Sequence, residues 1–160
     1  MTCRANALSV LAVAVVALAS CAGDGPKADP AFGVEIVDDG AIIEFQSRAD
    51  AFYDRLSRRR VNTIATFNDR VLREYFQTDA QYSDYYSDLA QALTAAHFEK
   101  NRPLEAEVRE FVFDQPGHAR VKYRFVGDNG LPLRFWSTSI EREDRWERAD
   151  GKWWIVPGRQ

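Results

Sequence analysis

Apolar positions in the first half of the chain recur every three or four residues, and after Pro103 they recur every second residue. These two periods divide the chain into a helical part and a strand part. Ile42, Phe45, Ala49, Phe52 and Leu56 follow Asp38-Asp39-Gly40, an apolar stripe preceded by acidic residues that the positive end of a helix favours. The spacing predicts a first helix from about Ala41 to Arg60. Ile64, Phe67, Val71 and Leu72 carry the pattern on to Tyr75, with Asn68-Asp69 marking a break or a second short helix. A further helix is expected through Tyr86, Leu89, Ala90, Leu93, Ala96 and His97, capped by Ser83 or Asp84 and ended by Asn101-Arg102-Pro103.

The strand part begins with Val108 to Asp114, and Gln115-Pro116-Gly117-His118 turns it into Ala119-Arg120-Val121-Lys122-Tyr123-Arg124-Phe125, where apolar and basic residues alternate without error. Gly127-Asp128-Asn129-Gly130 signals a second turn, and a long strand is expected from Leu133 to about Arg148. Asp150-Gly151 then closes a hairpin into Trp153-Trp154-Ile155-Val156, which Pro157 ends. Helices followed by an antiparallel meander make an α+β fold with the helices packed in a strongly curved sheet.

At this point the chain resembles the nuclear transport factor 2-like superfamily over roughly Ile42 to Pro157. The resemblance rests on the ending Asp144-Arg145-Trp146-Glu147-Arg148-Ala149-Asp150-Gly151-Lys152-Trp153-Trp154-Ile155-Val156, which looks like the terminal hairpin of many members. It implies a cone formed by a bent sheet around an N-terminal helix, with a pocket at the open end. Cystatin-like domains share the same order of helix and meander, usually with fewer N-terminal helices. Some superfamily members are isomerases, cyclases or dehydratases, but fold does not imply reaction, and no catalytic residue can be carried over onto this chain.

The N-terminus has a different logic. Arg4 precedes an uncharged run from Ala7 to Ala17, and small residues then lead to a cysteine; that order is the layout of a secretory signal peptide. The run is shorter than the roughly 20 apolar residues that span a bilayer. Leu18-Ala19-Ser20-Cys21 resembles the lipobox of bacterial lipoproteins, which implies cleavage before Cys21 and acylation of its sulfur and new amine. The expected division is a signal peptide over 1–20, a Gly- and Pro-containing flexible tether over 21–31, and one domain over 32–160. Ala22 lacks the aspartate associated with inner-membrane retention in enteric bacteria, which points to the periplasmic face of the outer membrane.

Composition then removes several chemistries. Cys3 leaves with the signal peptide and Cys21 is consumed by lipid, so these two cysteines provide the mature domain with no disulfide, thiolate nucleophile or thiolate metal ligand. The formal charge of −3 becomes −4 once Arg4 is removed, which argues against a nucleic-acid partner. His97 and His118 are the two histidines, and neither stands in a spacing that holds a metal. No cofactor is expected.

The candidate pocket residues are Tyr53, Tyr82, Tyr86, His97, Trp136, Arg142 and Asp144. They combine the aromatic cluster Tyr75-Phe76, Tyr82, Tyr85-Tyr86 and Phe98 with the strand face of Trp136, Thr138, Ile140, Arg142, Asp144 and Trp146; aromatic walls with a few polar groups suit a small-molecule site. Arg55 and Arg58-Arg59-Arg60 read as a solvated helix end favoured by the macrodipole, or as a contact for anionic headgroups. The expectation is a lipid-anchored, non-catalytic domain that binds a small apolar ligand or a protein partner. An enzyme on a hydrophobic substrate, or a module dimerising through its sheet face, is the alternative. A ligand binder requires a closed apolar cavity on the order of 300 Å³ or more, an enzyme a buried acid or base beside it, and an assembly module a filled interior with an apolar outer sheet face.

Overall fold

The computed structural model describes residues 39–158. The expected signal peptide, Cys21 and the tether lie outside the described residues. Helix α1 spans Asp39–Ser57 and buries Phe45, Ala49, Phe52, Tyr53 and Leu56, the stripe that a period of 3.6 residues places on one side. Two single-turn helices follow, α2 (Ile64–Phe67) and α3 (Arg70–Arg73). Each starts on a side chain that accepts a backbone N–H left without a helical partner: Thr63 Oγ1 takes the Thr66 amide at 3.2 Å, and Asp69 Oδ1 takes the Val71 amide at 3.0 Å.

Helix α4 spans Asp79–Ala95, so it begins ahead of the expected Ser83 or Asp84 cap. Thr78 and Gln81 form a reciprocal capping box: the Gln81 amide donates to Thr78 Oγ1 and the Thr78 amide to Gln81 Oε1, each at 3.2 Å. Its C-cap is Ala96. His97 therefore lies outside the helix, at φ 59°, and a one-turn 3-10 helix over Glu99–Asn101 leads into the sheet.

The sheet is one antiparallel meander in the order β1 (Glu105–Gln115), β2 (His118–Asp128), β3 (Ser137–Ala149) and β4 (Lys152–Val156). Asp150 and Gly151 both take positive φ, 53° and 73°, as a tight hairpin whose twist matches the strands requires. Strand β3 starts at Ser137, not at Leu133. Pro132 has no N–H to give a ladder, Leu133 is held in the left-handed region at φ 63°, and the Arg134 amide turns back to Leu131 O at 3.3 Å; residues 131–136 are a loop.

Alternation along β2 and β3 sends Ala119, Val121, Tyr123, Phe125, Asp144 and Trp146 inward. The opposite face carries Arg120 and Lys122, ion-paired with Asp114 and Glu110 at 2.7 Å each, and is therefore charged. Helix α1 lies on the inner face: the Phe45 ring stands edge-on to Trp146 at 5.6 Å and packs on Trp153 at 4.7 Å. Arg48 ties the same helix down by donating to Trp153 O and Glu74 O, both at 2.8 Å. No helix among the described residues is long and apolar enough to cross a membrane.

Candidate functional site

The most unusual group in the core is a carboxylate. Asp144 is 5 % exposed, and a buried charge is tolerated only where donors surround it. Three tyrosines from three elements supply them. Tyr53 of α1 donates to Oδ2 at 3.0 Å, Tyr85 of α4 donates to the same oxygen at 2.9 Å, and Tyr123 of β2 lies 3.3 Å from Oδ1. Tyr123 also stands 3.2 Å from the Tyr85 hydroxyl; having one proton, it divides that proton between Asp144 and Tyr85.

Local structure explains why these side chains meet. Tyr53 adjoins Phe52 on the buried stripe of α1, and Tyr85 sits one turn before Leu89 on the buried side of α4. In the β2–β3 register Tyr123 lies opposite Arg142 and Val121 opposite Asp144, so Tyr123 and Asp144 are diagonal neighbours on one face. Arg142 Nε donates to the Tyr123 oxygen at 3.2 Å, while its guanidinium makes an ion pair with Asp88 of α4. Trp146 Nε1 donates to the Tyr53 oxygen at 3.4 Å, and the Tyr53 and Tyr123 rings pack 4.4 Å apart.

Burial pushes the Asp144 carboxyl up to about 6, against the opposing pull of Arg142 and of the tyrosine hydroxyls. Burial, followed by the charge of Asp144, holds the Tyr53 and Tyr85 hydroxyls well above their ordinary range. They remain proton donors at neutral pH. Asp144 is thus the group of the site that changes charge in mildly acidic conditions.

No protein-family model, curated protein or solved structure matches the chain. The site must be read from its own geometry. A crevice of about 100 Å³ reaches it from outside, lined by Asp84, Tyr85, Asp88, Arg142, Asp144 and the end of β4. That is room for a few water molecules, with carboxylates and guanidinium groups on its walls. Depressions of about 430 to 600 Å³ exist, and they lie open on the surface. One of about 600 Å³ runs between α1 and the first residues of β1, from Asp50 and Tyr53 to Leu104 and Val108.

Of the sequence candidates, Tyr53, Arg142 and Asp144 come together. Tyr82 and Tyr86 lie on the flank of α4 away from the carboxylate, where their hydroxyls donate to Thr66 O at 2.8 Å and Thr63 O at 3.0 Å. They clamp the α2 turn to α4. His97 is exposed beyond the end of α4, and Trp136, 60 % exposed, precedes β3. Neither reaches Asp144. Asp88 and Tyr123 were missing from the candidates and Tyr85 stood only in the aromatic cluster, although Tyr123 holds an apolar place in the β2 alternation and Tyr85 and Asp88 are spaced by three, on neighbouring positions of a helix surface. Among the described residues, no group of three His, Cys, Asp or Glu side chains could hold a metal ion.

Proposed function

We propose that this chain is a lipid-anchored protein of the bacterial envelope, held through Cys21 at the periplasmic face of the outer membrane. Its α+β domain is of the nuclear transport factor 2-like kind and acts without catalysis, by binding a protein partner on its surface. The observation that carries this reading is the closed interior. The space beside Asp144 is about 100 Å³, well below the roughly 300 Å³ at which small-molecule sites begin. Tyrosine hydroxyls of the same chain already occupy both carboxylate oxygens. What remains for recognition is the outside, where the open depression of about 600 Å³ between α1 and β1 is available to a partner.

A second reading has one observation in its favour: a buried carboxyl near 6 beside a crevice is what an acid-base enzyme requires. The walls of that crevice are charged, which is at odds with a hydrophobic substrate. Dimerisation through the sheet face meets a similar objection, because that face carries the ion pairs of Arg120 and Lys122.

Native mass spectrometry of the chain released gently from membranes tests the reading. The expected masses are the polypeptide from Cys21 with its acyl groups, and a complex with a second, different polypeptide at fixed stoichiometry. A retained small molecule would restore the ligand or enzyme reading. A mass of two copies would restore the dimer, and a mature chain without acyl mass would remove the anchor.

A further inference from the structure

One end of the domain carries exposed apolar and basic groups that the Asp144 site leaves unused. The segment from Ala96 to Arg102 ties this pole together: Val61 N donates to Asn101 O at 2.9 Å, Arg60 Nε to Lys100 O at 3.2 Å, Gly130 N to His97 O at 2.8 Å, and Thr138 Oγ1 to Ala96 O at 2.8 Å. The basic end of α1 and the loop between β2 and β3 are thereby brought to the same side. In that loop Leu133 is 83 %, Phe135 92 % and Trp136 60 % exposed. Three large apolar side chains so close together in solvent mark a surface that is covered in use.

Backbone conformation points the same way. Leu133 takes φ 63°, a region that costs a bulky residue energy, and in return it buries nothing within the domain. Around the loop, Arg60, Arg102 and Arg134 form no ion pair among the described residues, whereas Arg58 and Lys100 pair with Asp54 and Glu99. Arg134 lies over the Trp136 ring at 5.7 Å. Among the described residues, Asp128 at the end of β2 and Glu105 at the start of β1, opposite Val126, are acidic groups on this side without an ion pair, against three such guanidinium groups.

We propose that this pole docks on the anionic surface of the bilayer that holds the anchor, with Leu133, Phe135 and Trp136 in the interfacial layer and Arg60, Arg102 and Arg134 on lipid phosphates. Aromatic rings settle at the boundary of headgroups and hydrocarbon, and basic side chains gain from anionic lipid close to the surface. The length of the connection allows it. α1 begins at the opposite pole, where Glu44 meets Arg148 at 3.3 Å, and the 11 residues of β2 set the poles about 35 Å apart. The 17 residues between Cys21 and Asp39 reach up to about 60 Å when extended, so anchor and pole can meet one bilayer together. This proposal rests on the anchor reading above, and its test separates the two.

The full chain as the cell processes it is reconstituted in vesicles whose acyl chains are brominated near the headgroup, and tryptophan emission is followed. Trp146 and Trp153 are fully buried, so contact quenching reads Trp136 and the half-buried Trp154. The expected result is quenching that is stronger with phosphatidylglycerol present than in pure phosphatidylcholine, is lost in Trp136→Phe and persists in Trp154→Phe. Replacing Arg60, Arg102 and Arg134 together by Gln should lower the docked fraction relative to the undocked about a hundredfold, at roughly fivefold per cation. Quenching that survives Trp136→Phe, that ignores both lipid charge and the triple substitution, or that never develops overturns the proposal. So does a photo-crosslinker at Phe135 that captures a polypeptide and no lipid in cells. The mass of the same preparation reports acylation of Cys21 independently.

Discussion

The hydroxyl of Tyr53 on α1 donates to Oδ2 of Asp144 on β3 across 3.0 Å, joining the first helix to the third strand through a buried carboxylate. With Tyr85 and Tyr123 this bond makes the centre of the core polar, and such a network is costly when incomplete. Asp144→Leu would leave two buried hydroxyls without an acceptor, since Tyr123 and Tyr85 still reach each other at 3.2 Å, at about 1 to 3 kcal/mol for each unsatisfied group. A loss of about 3 kcal/mol or more is expected. Asp144→Asn keeps one acceptor and offers an N–H to a tyrosine oxygen, so it should stay within about 1 kcal/mol of the parent, the usual size of one neutral hydrogen bond. Urea unfolding of both variants at pH 7 makes the comparison; equal losses would mean that the carboxylate is not the acceptor the tyrosines depend on.

The same carboxyl sets a pH dependence whose sign is opposite to that of an ordinary paired aspartate. Its folded value, about 6, lies above the roughly 3.9 of an unfolded chain, so between these values the folded state holds the extra proton. The contribution of Asp144 is fully present below about pH 4 and is lost as the pH rises through about 6, a change of about 3 kcal/mol. Asp144→Asn should flatten this part of the stability curve. Denaturant midpoints of parent and variant between pH 4 and 7 decide it, and parallel curves would refute the assignment.

The change of period at Pro103, the error-free alternation of residues 119–125 and the Asp150-Gly151 hairpin were readable because each is a local rule that tertiary packing here obeys. The start of α4 was misplaced because Thr78 and Gln81 act as a reciprocal pair, a signal that the apolar stripe does not contain. Trp136 was placed on a strand because its parity matched that of Trp146; Pro132 and the left-handed Leu133 end that parity before Ser137. In the site, alternation put Arg142 and Asp144 on one strand face with Trp146, but it did not say that charged residues on that face would point inward. Tyr85 and Asp88 reach it because α4 crosses the sheet at that height, a tertiary relation to which helical period is blind. The buried tyrosines were also indistinguishable until their hydroxyls found partners: Asp144 for Tyr53, Tyr85 and Tyr123, backbone carbonyls for Tyr82 and Tyr86.

Gly127 shows how a residue read as a turn signal can instead be a packing requirement. It lies within β2, opposite Thr138, and a Cβ there would stand 2.7 Å from Phe98 Cδ1 and 2.9 Å from Arg102 O. Phe98 is itself buried and Arg102 O is backbone, so the segment from His97 to Arg102 would have to move outward. Gly127→Ala should cost about 1 to 3 kcal/mol, as overpacking does. It should also speed amide exchange at Val61, Gly130 and Leu104, whose bonds to Asn101 O, His97 O and Val126 O close this pole. Unchanged exchange at these amides would show that the contact is slack.

Asp69 provides the counterpart to Asp144. Burial favours its neutral form, but the hydrogen bonds from Arg55 and the Leu72 amide, with the charges of Arg55 and Arg59, hold its carboxyl below the usual range. Arg55 and Arg59 approach it to 2.8 and 3.0 Å, and its Oδ1 caps α3. The sign is therefore reversed: the stability it contributes is present above about pH 4, the unfolded value, and is lost as the pH falls through its lower folded value. Asp69→Asn keeps a capping oxygen and loses the ion pairs, for about 1 kcal/mol. Asp69→Ala loses both and should cost about 2 kcal/mol. A stability curve from pH 2 to 7 distinguishes the two carboxylates in one protein: Asp144→Asn should remove the decline above about pH 4, and Asp69→Asn should soften the decline below it. If both substitutions acted on the same limb, one of these two electrostatic environments would be wrongly described.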